Sequence, residues 1–200
     1  MRVLIIVDVQ RDFLPGGPLG VPRGDEVVPV LSQLANEVDA VVATRDWHPA
    51  DHVSFAETHA GRSPGERIEH EGLEQVLWPV HCVQRTPGAD FADGLVLPPE
   101  TIVVDKGVDP GVDSYSAFFD NAGRRGTGLA ERLAAMRPTE VLVGGLATDY
   151  CVLATVLDAR RLGHEVRVVA EGCRGVDLVP GDAAAAFERM RAAGARLEGA

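Results

Sequence analysis

Lysine is nearly missing from this chain of 200 residues: of its 19 basic side chains a single one, Lys106, is lysine and the rest are arginine. Genomic base composition accounts for an arginine excess but leaves open why lysine survives at one position, where a compact, titratable ammonium can do chemistry that a guanidinium cannot. Positive charge as a whole is also scarce. With 30 acidic side chains the formal charge is −11 and the pI near 4.9, which argues against a phosphate-binding surface and so against nucleic acid or an anionic membrane as partner. A small uncharged or cationic ligand fits that field better. Cysteine is limited to Cys82, Cys151 and Cys173, an odd count without paired spacing, which argues for reduced thiols over a disulfide framework. No apolar run approaches the roughly 20 residues of a membrane span, and the N-terminal run to Asp8 is too short and too soon acidic for a signal peptide. A cytoplasmic protein is expected.

The 46% hydrophobic content suffices for one substantial core, and the length asks for a single domain over residues 1–200. Residues 2–7 are almost continuously apolar, the mark of a parallel strand covered on both faces, and Asp8 stands at the strand's C-terminal end. Residues 14–24, rich in proline and glycine, read as a loop; Asp25 then predicts a capped helix to about residue 38 with Val27, Val28, Leu31 and Leu34 on one face. Further strands are expected at 40–44, 101–104, 140–143, 165–170 and 196–197, with helices at 127–136 (capped by Thr127), from Cys151 to Gly163, and at 182–193. Between 53 and 97 that alternation is lost, which predicts a long functional loop with one short helical turn at 71–78. The pattern as a whole predicts an α/β fold of three layers (α/β/α) around a mainly parallel sheet of about six strands. Ligands of such sheets bind outside the carboxyl ends of the strands.

Asp8, Asp46, Lys106 and Cys151 all fall at those ends. Before Cys151, residues 141–143 read as a buried strand, Gly144 and Gly145 as a sharp turn, and Thr148 or Asp149 as the cap of a helix opening beneath the cysteine. A thiol at a helix N-terminus is expected to have a lowered pKa, because free amides and the helix dipole favour the thiolate, and the same amides can hold an oxyanion. A lone cysteine there reads more simply as a small residue packing helix on sheet. A carboxylate, the one lysine and a thiol at three strand ends are hard to assign to packing. Asp46 and His48, two apart in an extended segment, leave the same side and can meet one cation, with His81 as third ligand. Two histidines and a carboxylate with open positions suit zinc, iron(II) or manganese, while surface histidines are the plainer reading of the spacing. His52 reads as a fourth ligand or as a hydrogen-bonding partner of the ligands; Cys82 is a weaker candidate than its neighbour His81, and Cys173 reads as a buried structural thiol.

Taken in order, Asp8-Val9-Gln10-Arg11-Asp12-Phe13, Arg45-Asp46-Trp47-His48-Pro49-Ala50-Asp51-His52, Trp78-Pro79-Val80-His81-Cys82, Lys106-Gly107 and Gly145-Leu146-Ala147-Thr148-Asp149-Tyr150-Cys151-Val152 resemble the nicotinamidases of the isochorismatase-like cysteine hydrolases, over most of the chain. The resemblance implies a triad of Asp8, Lys106 and Cys151, and one divalent metal on Asp46, His48 and His81, zinc first with iron or manganese as alternatives. It also implies a cis peptide between Leu146 and Ala147, an oxyanion hole from the backbone amides of Ala147 and Cys151, and a pocket lined by Phe13, Trp78, Ala147 and Tyr115. The implied reaction is attack of Cys151 on the carboxamide of nicotinamide, or of pyrazinamide, while the metal holds the pyridine nitrogen. The resulting thioester is hydrolysed to nicotinate, with ammonia released. A small molecule is the partner this implies, and association into a homo-oligomer stays open. Two competing readings are another small-amide hydrolase of the same superfamily and a catalytically idle metal-binding module.

Overall fold

The first strand sets the architecture. In the computed structural model, which describes residues 1–199, β1 (Arg2–Val7) is fully buried from Val3 to Val7. Strand alternation sends Val3, Ile5 and Val7 into one hydrophobic core and Leu4 and Ile6 into another on the opposite face. α1 (Val27–Ala35) and β2 (Ala40–Asp46) follow, and after a long excursion β5 (Ile102–Lys106), α2 (Leu129–Met136), β6 (Glu140–Leu146), α3 (Leu153–Arg161), β7 (Val166–Arg174), α4 (Asp182–Ala192) and β8 (Arg196–Glu198). The sheet runs β5-β2-β1-β6-β7-β8 with every pair parallel. α1 covers one face through Val27 and Leu31, whereas α2, α3 and α4 cover the other through Leu129, Leu133, Val156 and Met190. Because β1 pairs with β2 on one side and β6 on the other, the winding reverses beside β1. A crevice opens there at the carboxyl ends.

Several local expectations change. Residues 67–76 form a hairpin, β3 (Arg67–His70) and β4 (Leu73–Val76), rather than a helical turn. Glu71 and Gly72, both at positive φ, make the tight turn whose twist suits a hairpin, and this alternating run is too short to favour a helix. α1 begins at Val27, after a single 3-10 turn at Gly24–Glu26, and Asp25 caps nothing. Thr127 lies two residues ahead of α2, yet its hydroxyl accepts from the Leu129 amide at 3.2 Å, so it serves the helix start without being its capping residue. Among the described residues no helix is long and apolar enough to cross a membrane.

Gly144 and Gly145 do not turn the chain; both lie inside β6, and Gly145 pairs with Val7 of β1. Their service is close approach. A Cβ on Gly145, at φ 135°, would strike the Val7 backbone, and one on Gly144 would stand 2.8 Å from the Leu31 side chain of α1. Gly145→Ala therefore combines a disfavoured φ with a backbone clash in the central ladder, and should cost about 2 kcal/mol or more. Urea unfolding checks this: a loss below about 0.5 kcal/mol would mean that β1 and β6 separate easily, contrary to the close contact described.

Candidate active site

The crevice beside β1 collects the strand-end residues. Asp8, the first residue beyond β1, has left-handed backbone at φ 49°. A single hydroxyl fixes it, since Thr44 Oγ1 accepts from the Asp8 amide at 3.1 Å and donates to Asp8 Oδ1 at 2.6 Å. Oδ2 is left facing Lys106 Nζ at 2.8 Å, an ion-pair contact without the direction of a hydrogen bond. Lys106 ends β5 in register with Asp46 at the end of β2. Its ammonium is buried, bonds Asp46 Oδ1 and the Ser114 carbonyl (2.9 Å), and stands 3.4 Å from Cys151 Sγ. Four groups thus meet without exposed charge.

Burial raises the Asp8 pKa to about 6 even though Lys106 pulls it down, with Asp46 adding to the rise. For Lys106 burial disfavours the ammonium, but Asp46 and Asp8 outweigh it and hold the pKa well above the usual range. Asp46 is also desolvated, and Lys106 with His48 more than compensates, so its carboxyl titrates well below the usual range. Cys151 departs from expectation. Burial pushes its thiol well up despite Lys106, and the nearby carboxylates of Asp8 and Asp46 push the same way. The helix dipole does not decide the matter, because Cys151 lies within a π-turn (Thr148–Val152), short of the α3 start, and in a fully desolvated place. The resting side chain is a thiol, with a carboxylate oxygen of Asp8 within 4.8 Å of its sulfur.

The helix-start signals also resolve differently. Ala147 takes the cap position without a side-chain cap, and Asp149 instead accepts from the amides of Val176 and Asp177 at 3.0 and 2.7 Å, holding that loop over the crevice. The Leu146–Ala147 peptide is cis.

Against this cluster lies a second one. His48 Nε2 and His81 Nε2 stand 3.5 and 3.9 Å from Asp46 Oδ2. His48 Nδ1 is bonded to the Gly107 carbonyl (2.8 Å) and His81 Nδ1 to the Pro79 carbonyl (2.7 Å), which places a proton on each Nδ1 and turns both Nε2 atoms to the carboxylate. Burial opposes the charged form of His48, but Asp46 outweighs it and raises the His48 pKa, so in the metal-free protein His48 is the imidazole that takes a second proton, on Nε2. Burial and His48 lower the His81 pKa to about 4, keeping it neutral. Three donor atoms within 4.8 Å of one another, two neutral-capable imidazoles and an ionised carboxylate, make a fitting seat for a divalent metal ion. His52 stands outside that trio. It stacks on His48 with ring centroids 4.0 Å apart, bonds Ser54 Oγ through Nδ1 at 2.7 Å, and groups instead with His48 and Asp113. Cys82 is buried in the α1-side core, and Cys173 donates to the Val169 carbonyl at 3.2 Å, its thiol pushed up to about 12 by burial.

A narrow cavity joins the two clusters. Phe13, Trp78, Tyr115 and Ala147 line it with Asp46, His81 and Cys151, and Leu19, Tyr150 and Val176 complete the wall. Trp78 Nε1 donates to the Tyr115 hydroxyl at 3.2 Å, and the Trp78 and Tyr150 rings meet edge-on at 4.8 Å. Sequence reasoning brought neither Thr44 nor Tyr150 to the site. Thr44 was findable, since strand period puts it on the same face as Asp46.

The Isochorismatase domain model matches residues 2–200. The chain belongs to the isochorismatase family. Within that family it is 48% identical to the nicotinamidase of Escherichia coli, over 98% of this chain and 93% of that protein. A solved Acinetobacter baumanii nicotinamidase pyrazinamidase superposes with a TM-score of 0.94 at 41% identity, covering 98% of this chain and 94% of that one. The pyrazinamidase of Pyrococcus horikoshii, solved in complex with zinc, gives a TM-score of 0.81 at 37% identity over 98% of each chain. The six-stranded parallel sheet is therefore that of an isochorismatase-family fold.

Lys106 is the charge on which both carboxylates depend. Lys106→Met in metal-free protein should destabilise by about 3–5 kcal/mol at pH 8, where Asp8 and Asp46 would otherwise both be ionised. The loss should shrink towards pH 5, because Asp8, already raised, then takes a proton in the folded state. Urea titrations at the two pH values giving equal losses would show that the carboxylates do not feel the ammonium.

Proposed function

We propose that the chain is a nicotinamidase, hydrolysing nicotinamide and pyrazinamide to the acid and ammonia. The observation that carries this reading is the single cavity in which Cys151 and the Asp46/His81 edge of the metal trio face each other between aromatic side chains. A flat, neutral pyridine amide spans such a space with its carboxamide at the thiol and its ring towards the imidazoles. Relatives named as nicotinamidases at high identity and coverage support the same substrate class.

Asp8 acts first as base. Its Oδ2, free of directed hydrogen bonds, takes the Cys151 proton as Sγ attacks the carboxamide carbon. The carbonyl oxygen gathers the negative charge, and the backbone amides of Ala147 and Cys151 receive it. Asp8 then hands its proton to the amide nitrogen, the C–N bond breaks, ammonia leaves and a Cys151 thioester remains. Water then attacks the thioester carbon as Asp8 takes one of its protons, the C–S bond breaks, Asp8 returns that proton to the sulfur to restore the thiol, and nicotinic acid leaves, releasing its remaining proton to solvent as nicotinate. Lys106 holds the Asp8 carboxylate in place and supports the charge on sulfur. Phe13 and Trp78 enclose the ring and Tyr115, bonded to Trp78, steadies that wall. Asp46, His48 and His81 would hold one divalent ion, zinc first and iron(II) or manganese next, which when bound supplies a Lewis acid for the pyridine nitrogen. A reduced nucleophile also suits a cytoplasmic setting.

Purified protein should release ammonia from nicotinamide, and Cys151→Ala should abolish this while unfolding within about 1 kcal/mol of wild type, since only a small buried side chain shortens. Ammonia release by Cys151→Ala at a near wild-type rate would remove the covalent route.

The ring nitrogen gives the sharper test. Benzamide presents the same carboxamide and nearly the same outline without the nitrogen, so its kcat/KM should be lower than that of nicotinamide by at least about 100-fold, the cost of losing a positioning contact. Chelation should depress nicotinamide turnover and leave benzamide turnover nearly unchanged. Equal kcat/KM on the two amides, with and without chelator, would make the chain a general amidase whose trio only braces the loops.

A further inference from the structure

One turn of chain beyond Asp8 reaches round to the metal trio from behind. Gln10 is fully buried and lines no part of the cavity. Its Oε1 accepts from the Asp46 amide at 2.8 Å, and its Nε2 donates to the Asp46 carbonyl at 2.8 Å and to the Ala89 carbonyl at 2.9 Å. The β1–β2 ladder ends its Cα register at Ile6 and Ala43, so this side chain bonds the Asp46 backbone as a neighbouring strand would, where no strand remains. Two residues on, Asp12 Oδ2 accepts from the Cys82 amide at 2.7 Å, next to His81. Cys82 sits at φ 48°, in the left-handed region a non-glycine residue keeps only when its surroundings hold it. Its carbonyl accepts from the His48 amide at 3.0 Å, so the Asp12 bond fixes the His81 loop against the segment that carries His48. Asp12 itself has little freedom, because a Cβ on Gly88 would strike its carboxylate.

We propose that Gln10 and Asp12 are positioning residues that set the spacing of the metal-ligating atoms, Gln10 through the backbone of Asp46 and Asp12 through the loop bearing His81. This rests on Asp46, His48 and His81 as the metal ligands. Neither residue supplies a donor atom to that trio. With three protein ligands and bond lengths tolerated within about 0.2 Å, a small drift of one ligand is not absorbed by the others. Partners one shell out from a metal are worth about 10–100-fold in its affinity.

The test is Zn²⁺ binding by metal-free protein, read by competition with a chromophoric chelator, alongside thermal unfolding of the same metal-free samples. Gln10→Met and Asp12→Ala should each bind Zn²⁺ about 10–100-fold more weakly than wild type. Asp12→Asn keeps an oxygen for the Cys82 amide and should bind close to wild type. Should Gln10→Met fail to fold, Gln10→Glu replaces it, retaining the acceptor for Asp46 and losing both donors, with weakened Zn²⁺ binding still expected. Ser32→Ala serves as the purely structural control: it removes the Ser32 bonds to Val96 and Gly94, remote from the trio, and should lower the melting temperature without weakening Zn²⁺. Wild-type affinity in folded Gln10→Met and Asp12→Ala overturns the proposal, as does a loss matched by Ser32→Ala or by Asp12→Asn. His81→Ala separates the two levels: if it binds Zn²⁺ as tightly as wild type, the assignment of the metal ligands fails, and the positioning roles fall with it.

Discussion

A buried ammonium cannot stand on one partner. Desolvating each ion costs several kcal/mol, whereas a unit-charge contact at about 4 Å contributes about 4 kcal/mol at an effective dielectric near 20. Lys106 is accordingly placed between two carboxylates, at the end of β5 where it meets Asp46 across the ladder and Asp8 one strand further. The arrangement leaves one negative charge more than the ammonium can balance, and the two carboxylates divide the consequence unequally. Asp46, with His48 also beside it, stays ionised; Asp8, with only Lys106 as a cationic neighbour, rises to about 6. The single lysine thereby differentiates two aspartates that would otherwise compete for the same proton.

Asp46 couples the two halves of the site. Oδ1 is bound to Lys106 and Oδ2 faces the two imidazoles, so the side chain belongs to both clusters. Its own position comes from backbone on both sides: the β5 ladder in front and the Gln10 amide behind. A displacement of this one residue would loosen the ammonium and the trio together. That is a physical reason for a buried glutamine fully engaged with backbone at this place, where an apolar side chain of similar volume would leave the Asp46 amide and carbonyl without partners.

Strand ends were legible because two-sided burial leaves a continuous apolar run, as in residues 2–7, and the polar residue that breaks it must lie at the crevice. The hairpin at 67–76 was hidden, since its strands are of four residues each and half-exposed, with no apolar run to announce them. Asp149 carried a capping signal and found a tertiary use, clamping the loop at Val176, because short polar side chains bond whichever amides the fold brings near. Gly144 and Gly145 signalled a turn by composition alone, whereas the spatial constraint is contact with Val7 and Leu31, residues far apart in sequence. Gln10 was silent for a related reason. Its hydrogen bonds run to the backbone of Asp46 and Ala89, far along the chain, and nothing in its own neighbourhood distinguishes it from an ordinary polar residue beyond a strand end.

The Cys151 thiol shows why a dipole argument made from sequence can point the wrong way. A helix terminus contributes at most about 2 kcal/mol in a favourable, partly buried geometry, and complete desolvation of a sulfur anion beside two carboxylates exceeds that. A thiol at rest nevertheless suits amide hydrolysis. An amide nitrogen leaves only when protonated, and a preformed thiolate would have to acquire that proton from outside a closed cavity. With the proton kept on sulfur, and with Asp8 near 6, lower than the thiol and lower than the departing amine, the carboxylate can receive the proton during attack and give it up during expulsion. The desolvation that opposes ionisation in the free protein thus conserves, inside the site, the one proton that the proposed reaction must spend.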